Sequence, residues 1–235
     1  MALFAISDLH LARGIDKPMD VFGSGWTDYM ERLAQNWSAA VRATDTVIVG
    51  GDISWATYLP DCRADFAMID ALPGNKIFLK GNHDYWWESI TKLQTYVQQQ
   101  GFSTISFLHN TSYFCEGVAI CGSRGWTDPS YDGVTPEDEK LYERELIRLE
   151  LSLEHARQYG AKKTLVALHY PPVTKFRRVS ARMRQLFARY GVDMCIYGHL
   201  HSGGAKMAFE GVEDGVRYRL VSADVLGFLP IKLDF

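Results

Sequence analysis

The chain has 235 residues, 47% of them hydrophobic and 23% charged, which is the balance of a globular protein able to bury a substantial core. Its formal net charge of −3 argues against a general binder of polyanions, so nucleic acid is not an indicated partner. The N-terminus lacks the basic start of a signal peptide, and the chain has no run of about 20 apolar residues, so we expect a cytoplasmic protein without membrane association.

Short apolar runs alternate with helical patterns along the chain. Five near-continuous apolar runs are typical of central strands covered on both faces, and they occupy residues 2–7, 45–50, 76–81, 163–169 and 193–199. A hairpin with its turn at Glu116-Gly117 is predicted over 111–123, and further strands over 217–225 and 230–235.

The predicted helices between these strands are amphipathic. The strongest pattern covers 136–159, where Thr135 can cap the N-terminus and Gly160 can end the helix. A second apolar stripe, with Gly101 as its C-cap, consists of Trp86, Ile90, Leu93 and Val97. Weaker helices are expected over 27–42, 61–72 and 180–190. No repeat or linker-like region interrupts this alternation, so we expect a single α/β domain over residues 1–235.

Polar side chains gather where the apolar runs end. The carboxyl ends of the strands in an open α/β sheet line the ligand crevice, so we expect these side chains at one edge. The chain has 7 histidines, and all but His109 and His155, which we expect to be structural or solvated, fall in these motifs. The strand-end residues are Asp8, His10, Asp52, Asn82, His83, Asp84, His169, His199 and His201.

Seven of these nine residues, two Asp, one Asn and four His, are already enough nitrogen and oxygen donors for two metal ions, because a four-coordinate zinc site would need fewer. The absence of a thiolate, with no paired cysteine spacing, favours Mn, Fe, Co, Ni or Zn over a soft ion. The imidazoles argue against a site for magnesium alone. Two ions about 3.5–4 Å apart form the clamp used for in-line displacement at phosphorus. Each motif alone is also compatible with a simple turn; five in order, each closing an apolar run, favour a site.

The motif series resembles that of the calcineurin-like metallophosphoesterase superfamily. Its elements read "DLH" (8–10), "GGD" (50–52), "GNHD" (81–84), "HYPP" (169–172) and "GHLH" (198–201), with a departure in the loop "GDISWATYLPD" after the second motif. The resemblance implies a four-layer αββα sandwich of two mixed sheets flanked by helices, with the metal site at the carboxyl ends of the strands.

The resemblance also implies roles for the residues. Asp8, His10 and His201 would hold the first ion, Asp52 would bridge, and Asn82, His169 and His199 would complete the second. His83 would be the non-ligand histidine beside the scissile phosphate, oriented by Asp84. The implied activity is hydrolysis of a phosphomonoester, phosphodiester or nucleotide-like substrate. A hydroxide bridging two divalent ions, with Mn, Fe or Zn favoured, would attack in line, with His83 as general acid.

The substrate is less defined than the chemistry. Residues 173–192 carry six basic residues and no acid, and Arg177 and Arg178 in this segment could steer a phosphorylated small molecule; the alternative is a solvated helix face. Aromatic residues near the motifs could stack on a base or aryl group, although core packing is favoured; they are Trp55, Tyr85, Trp86, Trp87 and Trp126. A different class of function, a metal-binding scaffold serving as a protein-interaction module, has no use for His83, which favours the hydrolase.

Overall fold

Two mixed β-sheets form the centre of the computed structural model, which describes residues 1–235 apart from the side chain of Phe22. The first sheet has the strand order β11-β1-β2-β3-β4, and the second has the order β5-β6-β7-β8-β10-β9. The strands are β1 Leu3–Ile6, β2 Thr46–Val49, β3 Asn75–Phe78, β4 Ile105–Phe107, β5 Tyr113–Cys115, β6 Val118–Ser123, β7 Lys163–Leu168, β8 Met194–Tyr197, β9 Gly211–Glu213, β10 Val216–Leu220 and β11 Ile231–Lys232.

Alternation of side chains along the strands produces the layers. In β1, Phe4 and Ile6 face a cluster shared with the helices of the first sheet, while Leu3 and Ala5 face a cluster between the two sheets. A strand with period two must bury both faces in this way when both are apolar. The helices are α1 Tyr29–Ala40, α2 Arg63–Ala71, α3 Ile90–Gln100, α4 Pro136–Arg157 and α5 Ala181–Tyr190.

The helices cover the outer faces of the sheets. Buried residues of α1, α2 and α3 pack on the first sheet, and those of α4 and α5 pack on the second. The predicted four-layer α/β sandwich is therefore confirmed. Among the residues that the structure describes, no helix combines the length and apolar character that crossing a membrane requires.

Helix ends follow local chemistry. Thr135 caps α4 in a reciprocal capping box with Asp138, as expected from the preference of Thr for the N-cap, and Gly101 ends α3 in the left-handed conformation. Trp86 is buried but precedes α3, whose N-cap is Ser89, so its predicted place on the helix is wrong. The Ser89 hydroxyl accepts from the Lys92 N–H and thus starts the helix later than the apolar stripe indicates.

The strand predictions hold for both sheets, including the hairpin, which turns at Glu116 and Gly117 with φ of 50° and 81°. The sequence does not predict strands β4 and β9, because three residues are too few to establish a strand pattern. The first sheet places β1, β2 and β3 side by side in parallel, and the second does the same with β7 and β8. Their carboxyl ends therefore bring all five polar motifs to one end of the sandwich.

Candidate metal centre

Two glycines allow the motif loops to approach closely. A Cβ atom on Gly81 would lie 2.0 Å from Asp52 Oδ1, and one on Gly198 would lie 2.2 Å from Ser7 Oγ and 2.3 Å from Asp8 Oδ2. Neither position could hold a larger residue without displacing these carboxylates. The glycines before Asn82 and His199 thus bring backbone up to the carboxylates of the other motifs.

Four strand-end residues adopt left-handed backbone conformations, which are uncommon outside glycine. Their φ angles are 60° at Asp8, 47° at His10, 49° at Asp52 and 71° at His199. Hydrogen bonds between the loops hold them: the His10 N–H donates to Asp52 O at 2.9 Å, and the His199 N–H donates to both carboxylate oxygens of Asp8 at 3.0–3.1 Å. Such strain persists where the surrounding structure over-determines it, which is typical of functional sites.

One group of donors consists of Asp8, His10 and His201, whose ligand atoms lie within 4.8 Å of one another. His10 Nε2 and His201 Nε2 are 3.3 Å apart, and His201 Nε2 is 3.4 Å from Asp8 Oδ1. This is the set that the resemblance assigns to the first ion.

A second group joins Asp8, Asp52 and His169, again within 4.8 Å. His169 Nε2 lies 3.4 Å from Asp52 Oδ2 and 2.7 Å from the side-chain oxygen of Asn82. His199 Nδ1 is 2.9 Å from the same oxygen. All seven expected donors therefore meet at one place, with Asp52 within 3.9 Å of His10 on one side and within 3.4 Å of His169 on the other.

Burial controls the protonation of these groups. It lowers the pKa of His10 and of His169 to about 3, so both imidazoles are neutral and have a lone pair available for a ligand. Burial, followed by the charges of Asp84 and Asp8, raises the pKa of Asp52 to about 9. In His201 the lowering by burial is exceeded by hydrogen bonds to Asp224 and Asp8, and the pKa rises to about 10.

These groups fit divalent cations. Asp8, Asp52 and Asp84 are all buried, and within the described side chains no Lys or Arg pairs with any of them. His10 Nδ1 is buried without a hydrogen-bond partner. His10 Nε2 faces His201 Nε2, and a hydrogen bond between these two nitrogens can use a proton on only one of them. Asp8 faces the His201 ring, whose pKa is raised, whereas the carboxylate of Asp52 faces the neutral imidazoles of His10 and His169. A buried carboxylate in that setting is costly unless a cation joins it. The oxygen and nitrogen donor set therefore suits transition metals of the kind predicted.

His83 stands beside this centre without joining it. Its ring lies 5.8 Å from that of His10 and 4.6 Å from that of Trp55, and it lines the cavity in front of the donors. Burial, and then the charge of Lys17, lower the pKa of His83. Its backbone N–H donates to Asp52 Oδ1 at 2.8 Å, which fixes the loop that carries it.

Asp84 does not have the partner that the resemblance implies. Its carboxylate accepts hydrogen bonds from the backbone N–H groups of Gly81, Asp52 and Ile53 at 2.7–2.9 Å, and from Trp86 Nε1 at 3.1 Å. Among the described residues no hydrogen bond joins it to His83. Buried N–H groups at the ends of β2 and β3 use the acceptor capacity of Asp84, so it ties two motif loops together.

The basic segment is largely paired on the surface. Four of its cations contact acids: Lys175 with Asp132, Arg182 with Glu143, Arg184 with Glu213 and Asp214, and Arg189 with Glu150. Arg177 donates to the carbonyl of Ala208 at 3.4 Å, and neither Arg177 nor Arg178 has an acidic partner among the residues described. Within residues 173–192 these two cations are therefore the ones without an acidic partner in the described part of the chain.

Several residues at the site escaped sequence reasoning. Asp224 accepts from or shares a proton with His201 Nδ1 at 2.9 Å and accepts from the Ser202 N–H at 2.9 Å. Lys17, Met19 and Trp26 approach the cavity from the loop after the first motif. None belongs to a motif at a strand end. Asp224 is 23 residues from His201 in the sequence, so no local signal marks it. Trp55, expected in the core, packs against the core and also lines the cavity.

Comparison with known proteins identifies the family of the chain. Residues 1–203 match the sequence model of the calcineurin-like phosphoesterase family. The chain belongs to this family, and it is a metal-dependent phosphoesterase. No curated protein matches the chain.

Solved structures share the fold at low sequence identity. The protein of unknown function AQ665 from Aquifex aeolicus has a TM-score of 0.52 and 16% identity, over 98% of this chain and 95% of its own. The phosphopantetheinyl hydrolase PptH from Mycobacterium tuberculosis has a TM-score of 0.54 and 16% identity, over 94% and 88%. TT1561 of Thermus thermophilus has a TM-score of 0.53 and 16% identity, over 85% and 81%. At these identities the likeness concerns the fold.

Proposed function

We propose that the protein hydrolyses a phosphomonoester, phosphodiester or nucleotide-like bond in a phosphorylated small molecule, using two divalent transition-metal ions. The observation that carries this proposal is the convergence of seven donors beside a histidine that is not one of them. The first ion would be held by Asp8, His10 and His201, with Asp52 shared between the two ions. Asn82, His169 and His199 would hold the second.

The protein's own groups then have separate tasks. Two bound divalent ions, Mn, Fe or Zn, would supply an activated water for in-line attack on phosphorus and neutralise charge on the phosphoryl oxygens. Asp8 and Asp52, ionised beside these cations, would hold them, and the neutral rings of His10 and His169 would offer lone pairs. Asp84 acts as a positioning residue, because it fixes the backbone from which Asp52 and Gly81 project.

His83 would act as general acid. It lines the cavity and has no side-chain hydrogen bond among the described residues, so its ring nitrogens are available to a leaving alkoxide or a phosphoryl oxygen. A histidine that binds no metal yet faces the metal cavity serves a reaction, whereas a metal-binding interaction module would not need it. This observation favours the hydrolase over the scaffold.

The fold and the cysteines bear on domain organisation and cellular location. We propose that residues 1–235 act as one domain, since the donors come from both sheets and an apolar cluster lies between them. The four cysteines are buried and free, which supports a reducing, cytoplasmic location.

Metal content and turnover test the proposal. The protein reconstituted with Mn should hold about two ions per chain, as expected of a two-metal centre. It should cleave p-nitrophenyl phosphate or bis(p-nitrophenyl) phosphate, and a chelator should abolish activity until Mn is restored. A panel of alkyl monoesters, nucleotides and a phosphopantetheinyl diester, the last suggested by the fold neighbour PptH, would then define the ester class. One ion or none after reconstitution, or no turnover of any ester, would contradict the proposal.

A further inference from the structure

The cavity in front of the metal centre is larger than the reacting group requires. It has a volume of about 520 Å³ and is lined by candidate ligands, His83, Ser202 and three apolar side chains, Met19, Trp26 and Trp55. With about 30 Å³ for each water-sized group, a phosphoryl group fills only a part of it. Small-molecule pockets typically span about 300–1,000 Å³, so the remaining space is suited to the organic portion of a substrate.

The three apolar side chains, here called the apolar wall, are held in place by the protein. Trp55 stacks on His10 with ring centroids 4.7 Å apart and planes inclined by 22°, and its Nε1 donates to Met19 Sδ at 2.9 Å. Lys17 Nζ lies 3.2 Å from the centre of the same indole. A wall fixed before binding loses little freedom when a ligand arrives, which favours affinity.

Trp26 is similarly fixed. It is 4% exposed and packs edge-on against Tyr29 and Phe228 at centroid distances of 5.3 and 5.2 Å. A role in holding the His10 imidazole would explain the contacts of Trp26 and Trp55 with His10. It does not explain why the three side chains of the apolar wall also border open space beside the metal donors. Thioether and indole groups in that position offer apolar contact to whatever lies next to the phosphoryl group.

We propose that the apolar wall is the subsite for the organic group of the substrate, and that this group is an alkyl or aryl group rather than a strongly polar one. This inference rests on the proposed function, because it assumes that the phosphoryl group lies at the metal centre. Met19 is the specificity-determining residue of the apolar wall that can be tested most directly. Its sulfur accepts from Trp55 Nε1, and among the described residues it has no hydrogen bond to a candidate metal ligand.

Non-hydrolysable phosphonates separate binding from turnover. We would measure the Kd of methylphosphonate, butylphosphonate and benzylphosphonate by calorimetry on the Mn-loaded protein. The three added methylenes of butylphosphonate, at about fourfold each when buried, predict binding at least tenfold tighter than that of methylphosphonate. Benzylphosphonate should show a preference of at least the same size.

Variants at Met19 locate the effect. Met19→Ala should reduce the butyl-to-methyl affinity ratio by about threefold or more, because part of the apolar contact is lost, whereas Met19→Leu should keep the ratio. Met207→Ala, at a methionine that is 40% exposed and does not line the cavity, is the matched control and should leave the ratio unchanged. Thermal unfolding of each variant verifies that it is folded.

The outcomes are distinct. Equal Kd values for the three phosphonates, or a ratio that is the same in Met19→Ala and the wild type, would overturn the subsite while leaving the proposed function intact. If methylphosphonate and both larger phosphonates fail to bind the Mn-loaded protein, the proposed function fails together with the subsite.

Discussion

His201 presents its Nδ1 to a carboxylate oxygen of Asp224 at 2.9 Å and its Nε2 to Asp8 at 3.4 Å. The second carboxylate oxygen of Asp224 accepts from the Ser202 N–H at 2.9 Å, so the carboxylate is itself fixed. A carboxylate on one ring nitrogen orients the other toward a metal and raises its basicity. Asp224 therefore completes the candidate metal centre, although it belongs to none of the five motifs.

Replacement of Asp224 should weaken the first metal site. Asp224→Ala removes the partner of His201 Nδ1, and we expect metal affinity to fall about 10–100-fold, as is usual for such outer partners. Competition titration with a chromophoric chelator measures this. Asp234→Asn removes a surface carboxylate paired with Lys232 and should leave affinity unchanged. Wild-type affinity in Asp224→Ala would show that His201 is held by other contacts.

Gly198 should not tolerate a side chain. Gly198→Ala would place a Cβ 2.2 Å from Ser7 Oγ and 2.3 Å from Asp8 Oδ2, which forces the loops apart. We expect the free energy of unfolding to drop by about 1–3 kcal/mol, as for other overpacked sites, and metal content to drop with it. Gly203→Ala, where a Cβ meets nothing within 4 Å, is the matched control in denaturant melts. Equal stability of both variants would mean that the close approach of the Gly198 backbone to Ser7 and Asp8 is not needed for folding.

His83 and Asn82 are neighbours in the sequence, but we expect His83 to act as the general acid and Asn82 as a metal ligand. Asn82→Ala removes an oxygen near His169 and His199, so metal content should fall together with rate. His83→Ala should keep both ions and slow the chemical step by roughly 10²–10⁴-fold, with a smaller loss for an aryl ester, whose leaving group needs little protonation.

Single-turnover rates and metal stoichiometry on the same samples decide between these roles. His109→Ala, at a histidine outside the candidate centre, serves as control. Loss of an ion from His83→Ala would make His83 a ligand. A full rate on an alkyl ester would remove its role as an acid.

The two arginines without acidic partners should affect substrate capture. Arg177→Glu combined with Arg178→Glu should raise KM for an anionic substrate and weaken its dependence on salt, because two attractive charges become repulsive. Arg189→Gln changes a cation that is already paired with Glu150 and should leave KM near the wild-type value. If the double variant keeps the wild-type KM and salt slope, the segment is only a solvated surface.

Because of the buried Lys76, the free energy of unfolding should increase as the pH rises into the alkaline range. The Lys76 ammonium is buried and donates to the carbonyls of Leu72 and Asp70 and to Thr104 Oγ1, and burial lowers its pKa from 10.5 to about 8. Between these values the unfolded chain binds the proton and the folded chain releases it, so the free energy of unfolding rises with pH from about 8 to 10.5.

Denaturant melts across this pH range, compared with Lys76→Met, isolate the contribution, because other groups titrate equally in both proteins. The difference between the two should change in favour of wild type as pH rises. A constant difference would show that the Lys76 pKa is the same in the folded and unfolded chains.

Local patterns in the sequence determined much of this protein. Apolar runs such as 45–50 and 163–169 predicted the strands of both sheets, since a strand covered on both faces must be apolar throughout. The same patterns located the donors, because they stand where such runs end. The family resemblance rested on these local signals as well, and the family match over residues 1–203 agrees with it.

Tertiary structure alone decided which distant groups are partners. Asp224 meets His201, and Met19 meets Trp55, because the packing of the loops and sheets brings them together. For Asp84 the sequence suggested a pair with its neighbour His83, but its carboxylate oxygens accept from the backbone N–H groups of residues 52–54 instead. A sequence pattern records periodicity and chain ends, whereas hydrogen-bond partners are set by which groups remain unpaired once the sheets have packed.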